Sequence, residues 1–314
     1  MEKQQQKKQQ QRYYSTVMQS RFPIFLPLIR TKREKYNLEI ENKYGRFKIT
    51  APFKLTQQHR NALDGLFCVY EKRAIMPDGT VDLLFSPTKL KKFLNKHLGK
   101  KYETRYWIEK LKELRHATII LEWRRNNKTK VISEMAIVER VEIEEIVDKE
   151  TTAKLKRLGI DTKVKKMYVR LAPNYIRLVR EDIIMYAYSQ RKLKEFVAKI
   201  YDLRDPLLQS FARFCITHQS FQFKLNDILQ IIDPAWQNLN KIKKSQKRKI
   251  ITSNFSRLKF LGDIQLKNNI IVYSNSQNTL FLKILIRIRL PLIATRNKKL
   301  PLIATKVTLN SYLK

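Results

Sequence analysis

Cysteine is nearly absent from this chain, which carries two, Cys68 and Cys215. Two cysteines this far apart provide neither a disulfide framework nor a cysteine-rich zinc site. Each lies inside an apolar helical pattern, so we expect two buried free thiols in a cytoplasmic, reducing environment. The four histidines are scattered along the sequence, without a His-x-His pair for a metal. No metal or cofactor is therefore expected.

Glycine is scarce as well, with six in 314 residues. The stretch Gly99-Lys100-Lys101 lacks the leading glycine and the Ser or Thr of a phosphate-binding loop. No Asp-x-Asp pair offers ligands for the metals of a polymerase or a primase. We therefore expect a protein that binds its target and is not an enzyme.

Long uninterrupted apolar runs are also missing. The apolar stretch 22–29 is broken by Pro23 and Pro27, which argues against a secretory signal. The apolar stretch 280–294 contains three basic residues, which argues against a transmembrane helix. We therefore expect no association with a membrane.

Acidic residues are outnumbered, with 28 Asp and Glu against 65 Lys and Arg, which gives a net charge of +37. An excess of this size indicates a polyanionic partner such as DNA or RNA. From Pro234 to the end, Asp263 is the only acid, so the basic bias is strongest there. Hydrophobic residues still make up 43% of the chain, which is enough for packed cores in two domains.

The stretch 241–274 is the most informative part of the sequence. Helical spacing predicts a single helix through 241–261, with Ile251, Phe255, Leu258 and Leu261 facing a core. Gly262 ends this helix, and two short strands follow, joined by Lys267-Asn268-Asn269. A basic helix followed by a basic-tipped hairpin is typical of the recognition helix and wing of a winged helix-turn-helix.

The same order of elements is predicted in the first half. Thr56 and Ser86 are helix N-cap residues, and a third helix is predicted over 103–114, before strands at 118–123 and 130–137. We therefore predict an α+β, mostly α chain with two tandem winged helix-turn-helix domains and flexible basic termini. The predicted parts are a basic low-complexity tail (1–35), a first winged-helix domain (36–150), a linker and leading strand (151–180), a second winged-helix domain (181–275) and a basic apolar tail (276–314).

Both predicted recognition helices and wings carry side chains that suit double-stranded DNA. Lys and Arg bind phosphates, Lys also bonds guanine, and Gln bonds adenine in the major groove. In the first domain we predict contacts from Lys101, Thr104, Arg105 and Lys112 of the helix and from Arg124, Arg125 and Lys128 of the wing. In the second domain, the main reader, we predict contacts from Ser245, Gln246, Lys247, Arg248, Lys249, Thr252, Ser253, Ser256, Arg257, Lys259 and Lys267.

Five stretches carry a resemblance to a known family. They are FKLTQQHRNALDGLFCVYE (53–71), VDLLFSPTKLKKFL (81–94), YWIEKLKELRHATIILEW (106–123), DPLLQSFARFCITHQS (205–220) and the stretch 241–274. Through these patterns of apolar spacing, residues 47–274 resemble the replication initiator proteins of theta-replicating plasmids, the Rep/TrfA-like class.

The resemblance implies a function. Such initiators bind direct repeats (iterons) at a plasmid origin, promote melting of the adjacent DNA, and recruit the host initiator and the replicative helicase. The resemblance also implies a monomer–dimer equilibrium through the first domain. Three alternatives stay open: a winged-helix transcription regulator, a nicking or priming replication enzyme, and an RNA- or ribosome-associated basic protein.

Overall fold

The computed structural model describes residues 18–30, 34–42, 45–126, 129–144, 157, 166–176, 190–218 and 220–274. Within these residues the chain is α+β, with antiparallel sheets packed against helices. The predicted C-terminal tail, and most of the predicted N-terminal tail and linker, lie outside the described residues.

The elements of the described chain follow one another as short helices and strands. Those before residue 180 are α1 (Met18–Arg21), β1 (Tyr36–Asn42), β2 (Gly45–Ala51), α2 (Gln57–Val69), β3 (Lys72–Ile75), β4 (Val81–Phe85), α3 (Pro87–Leu98), α4 (Thr104–Glu113), β5 (Thr118–Asn126), β6 (Thr129–Met135), β7 (Val138–Glu144) and β8 (Lys166–Leu171). Those after it are α5 (Gln190–Asp202), α6 (Pro206–Cys215), β9 (Ser220–Lys224), α7 (Leu225–Ile232), α8 (Lys241–Thr252), α9 (Phe255–Leu258), β10 (Asp263–Lys267) and β11 (Ile270–Ser274).

Local chemistry fixes the helix starts where the sequence predicts them. The hydroxyl of Thr56 accepts the Gln58 N–H at the start of α2, and Ser86 with Pro87 begins α3. The Asp205 carboxylate accepts the N–H groups of Leu207 and Leu208 at the start of α6. These side chains satisfy amide groups that have no partner within a first helical turn.

Strand partners differ from the prediction in the first half. The sheet orders are β1-β2-β5-β6, β3-β4-β8-β7 and β10-β11-β9. The predicted wing β5–β6 therefore joins the hairpin β1–β2, while β4 lies in another sheet. The strand β8, predicted as part of a linker and leading strand, pairs with β4 and β7. Sequence periodicity identifies a strand but does not identify its partner, which tertiary packing decides.

Helix α2 is buried along its whole length, although it carries several polar side chains. Asp64 accepts a hydrogen bond from Arg60 at 2.9 Å and another from Arg213 of α6 at 2.7 Å. Arg213 also donates to Gln57 at 2.7 Å and to Asn61 at 2.8 Å. We call Gln57, Arg60, Asn61, Asp64 and Arg213 the buried polar cluster.

The buried polar cluster joins parts of the chain that are far apart in sequence. Arg213 lies 149 residues after Asp64. Tyr201 adds a hydrogen bond from its hydroxyl to the Asn61 carbonyl at 2.6 Å. One continuous apolar core, from Phe22 to Tyr273, surrounds this cluster. The two halves are therefore held together by paired charges as well as by apolar packing.

A buried histidine closes the first turn of α2. The Thr56 N–H donates to His59 Nδ1 at 2.9 Å, and His59 Nε2 lies 2.6 Å from a carboxylate oxygen of Glu113. Because Nδ1 accepts a hydrogen bond, the proton of the neutral ring is on Nε2 and is donated to Glu113. Burial lowers the pKa of His59. Burial likewise raises the pKa of both cysteine thiols, which are buried and not joined in a disulfide, as predicted.

Loss of the Asp64 carboxylate, which lies between two buried arginines, is expected to destabilise the protein strongly. Asp64→Asn leaves Arg60 and Arg213 without their shared carboxylate, so the free energy of unfolding should fall by about 3–5 kcal/mol. Urea denaturation measures this change. Glu109→Gln is the matched control, because Glu109 pairs with Lys112 at the surface, and it should cost less than about 1 kcal/mol. Equal losses in the two variants would contradict a structural role for the cluster.

The His59 geometry predicts a specific pH dependence of stability. Because the pKa of His59 is lower in the folded state, the unfolded state binds more protons as the pH falls. The contribution of the neutral His59 ring to the free energy of unfolding is complete above about pH 6.5, the pKa of an unperturbed histidine. It is lost as the pH drops toward the lowered pKa of His59 in the folded state. Urea midpoints measured between pH 5 and pH 7 should therefore fall with acid in the wild type and be flatter in His59→Gln. Parallel curves for the two proteins would refute the assignment.

Candidate nucleic-acid interface

Helix α8 begins at a side-chain cap and runs without an acidic residue. The Asn240 side chain accepts the Lys243 N–H at 2.9 Å, as expected of an N-cap. Ile251 is the buried residue of the helix, and α8 packs against α6. The position of Ile251 thereby decides which face of α8 is turned to solvent.

The predicted single helix through 241–261 is wrong in its continuity. The Ser253 hydroxyl donates to the Lys249 carbonyl at 2.6 Å, and the Asn254 amide donates to the Ile250 carbonyl at 2.8 Å. These bonds satisfy carbonyl groups at the end of α8, and short polar side chains compete with the backbone in this way. The chain continues as α9 and a 3₁₀ turn at Lys259–Leu261. The predicted inward residues Leu258 and Leu261 are buried nonetheless.

One row of side chains on α8 lies opposite Ile251. Residues 242, 246, 249 and 253 follow at intervals of four, three and four, which places them on one face of a helix with 3.6 residues per turn. All of them are exposed, and so is the adjacent residue 245. We call this the outward row: Ile242, Ser245, Gln246, Lys249 and Ser253.

Two of the side chains predicted to contact DNA from α8, Lys247 and Arg248, bond to the protein itself in this structure. Lys247 lies 2.5 Å from the buried carboxylate of Asp233, and the Arg248 side chain donates to the Lys244 carbonyl at 3.4 Å. Lys244 in turn donates to the Gln237 carbonyl at 3.0 Å. Lys244 and Lys247 thereby attach α8 to the segment that contains Asp233 and Gln237. Because all three basic side chains are half-buried, their charges contribute less to the surface potential.

Arg257, another predicted DNA contact, is exposed and also bonds to the protein. Its guanidinium donates to the carbonyl of Asp202 at 2.7 Å and to that of Leu203 at 3.1 Å. It also donates to Asn254 at 3.2 Å. Arg257 therefore attaches the segment after α8 to the end of α5. The break after α8 also takes Ser256 off the outward row, although Ser256 and Lys259 remain exposed, while Thr252 is half-buried.

The hairpin beside α8 has the predicted turn. Asn268 and Asn269 have φ values of 50° and 62°, the left-handed conformation that a two-residue hairpin turn requires. Lys267 is exposed next to this tip. Tyr273 anchors the hairpin through its hydroxyl, which donates to the Leu261 carbonyl at 3.0 Å. The tip thus stands at a fixed place relative to α8.

The candidate contacts of the first half are less well grouped. Lys101 and Arg105 are exposed at the start of α4, and Thr104 beside them is half-buried. Lys112 pairs with Glu109 at 3.2 Å, so its charge is partly offset. The remaining predicted contacts are Arg124 and Arg125, whose backbone lies in β5, and Lys128, which lies outside the described residues.

The electrostatics of the second half favour a polyanion. In the described stretch 234–274 the only acid is Asp263, which accepts a hydrogen bond from Gln265 at 3.0 Å. Apart from Lys249 of the outward row, the exposed lysines on the same stretch are Lys241, Lys243, Lys259 and Lys267, and Arg257 is exposed as well. Because an α-helix fits the major groove of B-DNA, the outward row can meet base edges while these cations meet phosphates.

Within the described ranges, no group of three His, Cys, Asp or Glu side chains is placed to hold a metal ion. Every helix in that part of the chain is too short or too polar to span a lipid bilayer.

Comparison with known proteins finds weak structural similarity and no similarity in sequence. No protein-family model matches the chain, and no curated protein is similar to it in sequence. Two crystal structures of domains 2 and 3 of RctB are similar in shape. For the selenomethionine derivatives the TM-score is 0.48, with 11% identity over 84% of this chain and 100% of that chain. For the other the TM-score is 0.41, with 12% identity over 79% and 92%. Likeness at this level defines neither a family nor an activity.

Two neighbouring lysines of α8 provide a test of the outward row. Lys249→Ala should reduce the affinity for a specific duplex site more than the affinity for random duplex DNA, because Lys249 stands on the outward row that can meet base edges. Its unfolding midpoint should not change, because Lys249 is exposed. Lys247→Ala should instead lower stability, because it leaves the buried Asp233 carboxylate without its lysine. Fluorescence anisotropy with specific and random duplexes measures the discrimination, and urea denaturation measures the stability. A larger loss of discrimination between specific and random DNA in Lys247→Ala than in Lys249→Ala would reverse the assignment.

Proposed function

We propose that this protein is a sequence-specific, double-stranded DNA-binding initiator of plasmid replication. The observation that carries the proposal is the outward row of α8, exposed beside a basic hairpin on a surface with almost no acid. The family resemblance of residues 47–274 adds the replication role.

The second half fits a winged helix-turn-helix. The order α6, β9, α7, α8, β10, β11, with β9 and β10 on either side of β11, is the order that this fold requires. Helix α8 then occupies the position of the recognition helix, and the β10–β11 hairpin is the wing. The first half, from α2 to β6, has the same order of helices, but its strands pair differently. We propose it as a variant of the same domain, which makes the pair tandem.

The proposed reading mechanism follows from this placement. Helix α8 has 12 residues and is about 18 Å long, and the major groove of B-DNA is about 12 Å wide. The exposed lysines neutralise phosphates and supply affinity for any sequence. Gln246, Lys249 and Ser253 supply the hydrogen bonds that distinguish bases. Each chain carries one α8, so successive chains can occupy successive direct repeats in one orientation.

The remaining steps of the proposal derive from the family resemblance. They are melting of the DNA next to the repeats, recruitment of the host initiator and the replicative helicase, and a monomer–dimer equilibrium through the first half. The chain would act in the cytoplasm, without a metal or cofactor and without catalysis of its own.

A winged-helix transcription regulator is the alternative, because the same reading surface would serve it. The two functions differ in the arrangement of their sites. An initiator requires several direct repeats beside easily melted DNA, whereas a dimeric regulator requires one two-fold symmetric site at a promoter.

Footprinting on the DNA that flanks the gene tests the proposal. We expect regularly spaced protection over direct repeats, with random DNA present as competitor and at two salt concentrations. The control is the double variant Lys249→Ala/Ser253→Ala, which should lose the regular protection while it still binds random DNA at low salt. A single protected palindrome would favour the regulator. Protection that disappears with competitor would contradict sequence-specific binding altogether.

A further inference from the structure

Ile242 is the most exposed of the large apolar side chains in the described residues, at 68%. It occupies the first turn of α8, between the exposed Lys241 and Lys243. A single exposed isoleucine on an ordinary surface needs no explanation. Ile242 differs because it stands on the outward row, opposite the buried Ile251 and in line with Gln246 and Lys249.

The place of Ile242 along the helix is equally specific. In a helix-turn-helix, the N-terminal residues of the recognition helix contact base edges. If α8 enters the major groove, Ile242 is therefore the member of the outward row closest to the end that contacts base edges. Its side chain is apolar. It offers no hydrogen bond to a phosphate or to a polar base edge.

Only one base presents an apolar group in the major groove. Thymine carries the 5-methyl group there, whereas guanine, cytosine and adenine present hydrogen-bond donors or acceptors. An apolar side chain packed on those polar groups would remove water from them without replacing its hydrogen bonds. An isoleucine at this position therefore favours thymine in two ways, by contact with the methyl group and by exclusion of the other bases.

We infer that Ile242 packs on the 5-methyl group of one thymine in the recognised sequence and is a specificity-determining residue. This inference rests on the proposed DNA-binding function. It adds an apolar contact to a reading surface that is otherwise polar. It also fixes one base of each site as thymine at the position reached by the first turn of α8.

A thymine-to-uracil exchange tests the inference at the level of one methyl group. Each thymine of a footprinted site is replaced singly by deoxyuridine, and affinities are measured for the wild type and for Ile242→Ala. At one position the exchange should weaken wild-type binding about fourfold, as expected for loss of one buried methyl group. For Ile242→Ala the thymine-to-uracil ratio at that position should be close to one.

Ile132→Ala is the matched control. Ile132 is 61% exposed and lies on β6, away from α8, so this variant should keep the wild-type ratio. Both isoleucines are exposed, so both variants should fold. Their unfolding midpoints would show whether they do. Specific binding in which no thymine is sensitive, or in which Ile242→Ala stays as sensitive as the wild type, would overturn the inference and leave the proposed function intact. Absence of any specific site would overturn both.

Discussion

The shared carboxylate of Asp64 is the contact on which the architecture depends. It lies between Arg60 on its own helix and Arg213 on α6, all within the core. Buried charges are costly unless they are paired and hydrogen-bonded, so these groups hold one arrangement of α2 and α6. Helix α8 packs on α6, and its outward row lies on the side of α8 that faces away from α6. The orientation of the candidate DNA reader is therefore determined by side chains that never meet the DNA.

The net charge of the protein does not identify which basic side chains are available at the surface. Lys247 and Arg257 belong to the most basic stretch of the sequence, yet both bond to groups of the chain itself. The exposed lysines that remain flank a row with one apolar and four polar or charged members. The proposed function therefore assigns affinity to the surrounding lysines and selectivity to the outward row.

Features that depend on near neighbours in sequence were predictable, and features that depend on distant partners were not. The caps at Thr56, Ser86 and Asp205 and the helix Leu225–Ile232 follow from local chemistry, and the structure confirms them. The partners of β4 and β8, and the internal bonds of Lys247, depend on segments that come together only in the fold. The exposure of Ile242, on which its proposed role rests, likewise depends on how α8 packs in the fold.

The fully buried helix α2 has a consequence for synthesis on the ribosome. Asp64 emerges 149 residues before the Arg213 that completes its hydrogen bonds. At about 5–20 residues per second, this delay is roughly 7–30 s. During that time α2 can pack on α3 and α4 of the first half, but the side that meets α5 and α6 stays uncovered. The first half of the nascent chain therefore has to wait for the second, and a truncated product that ends before α6 would be a substrate for proteolysis.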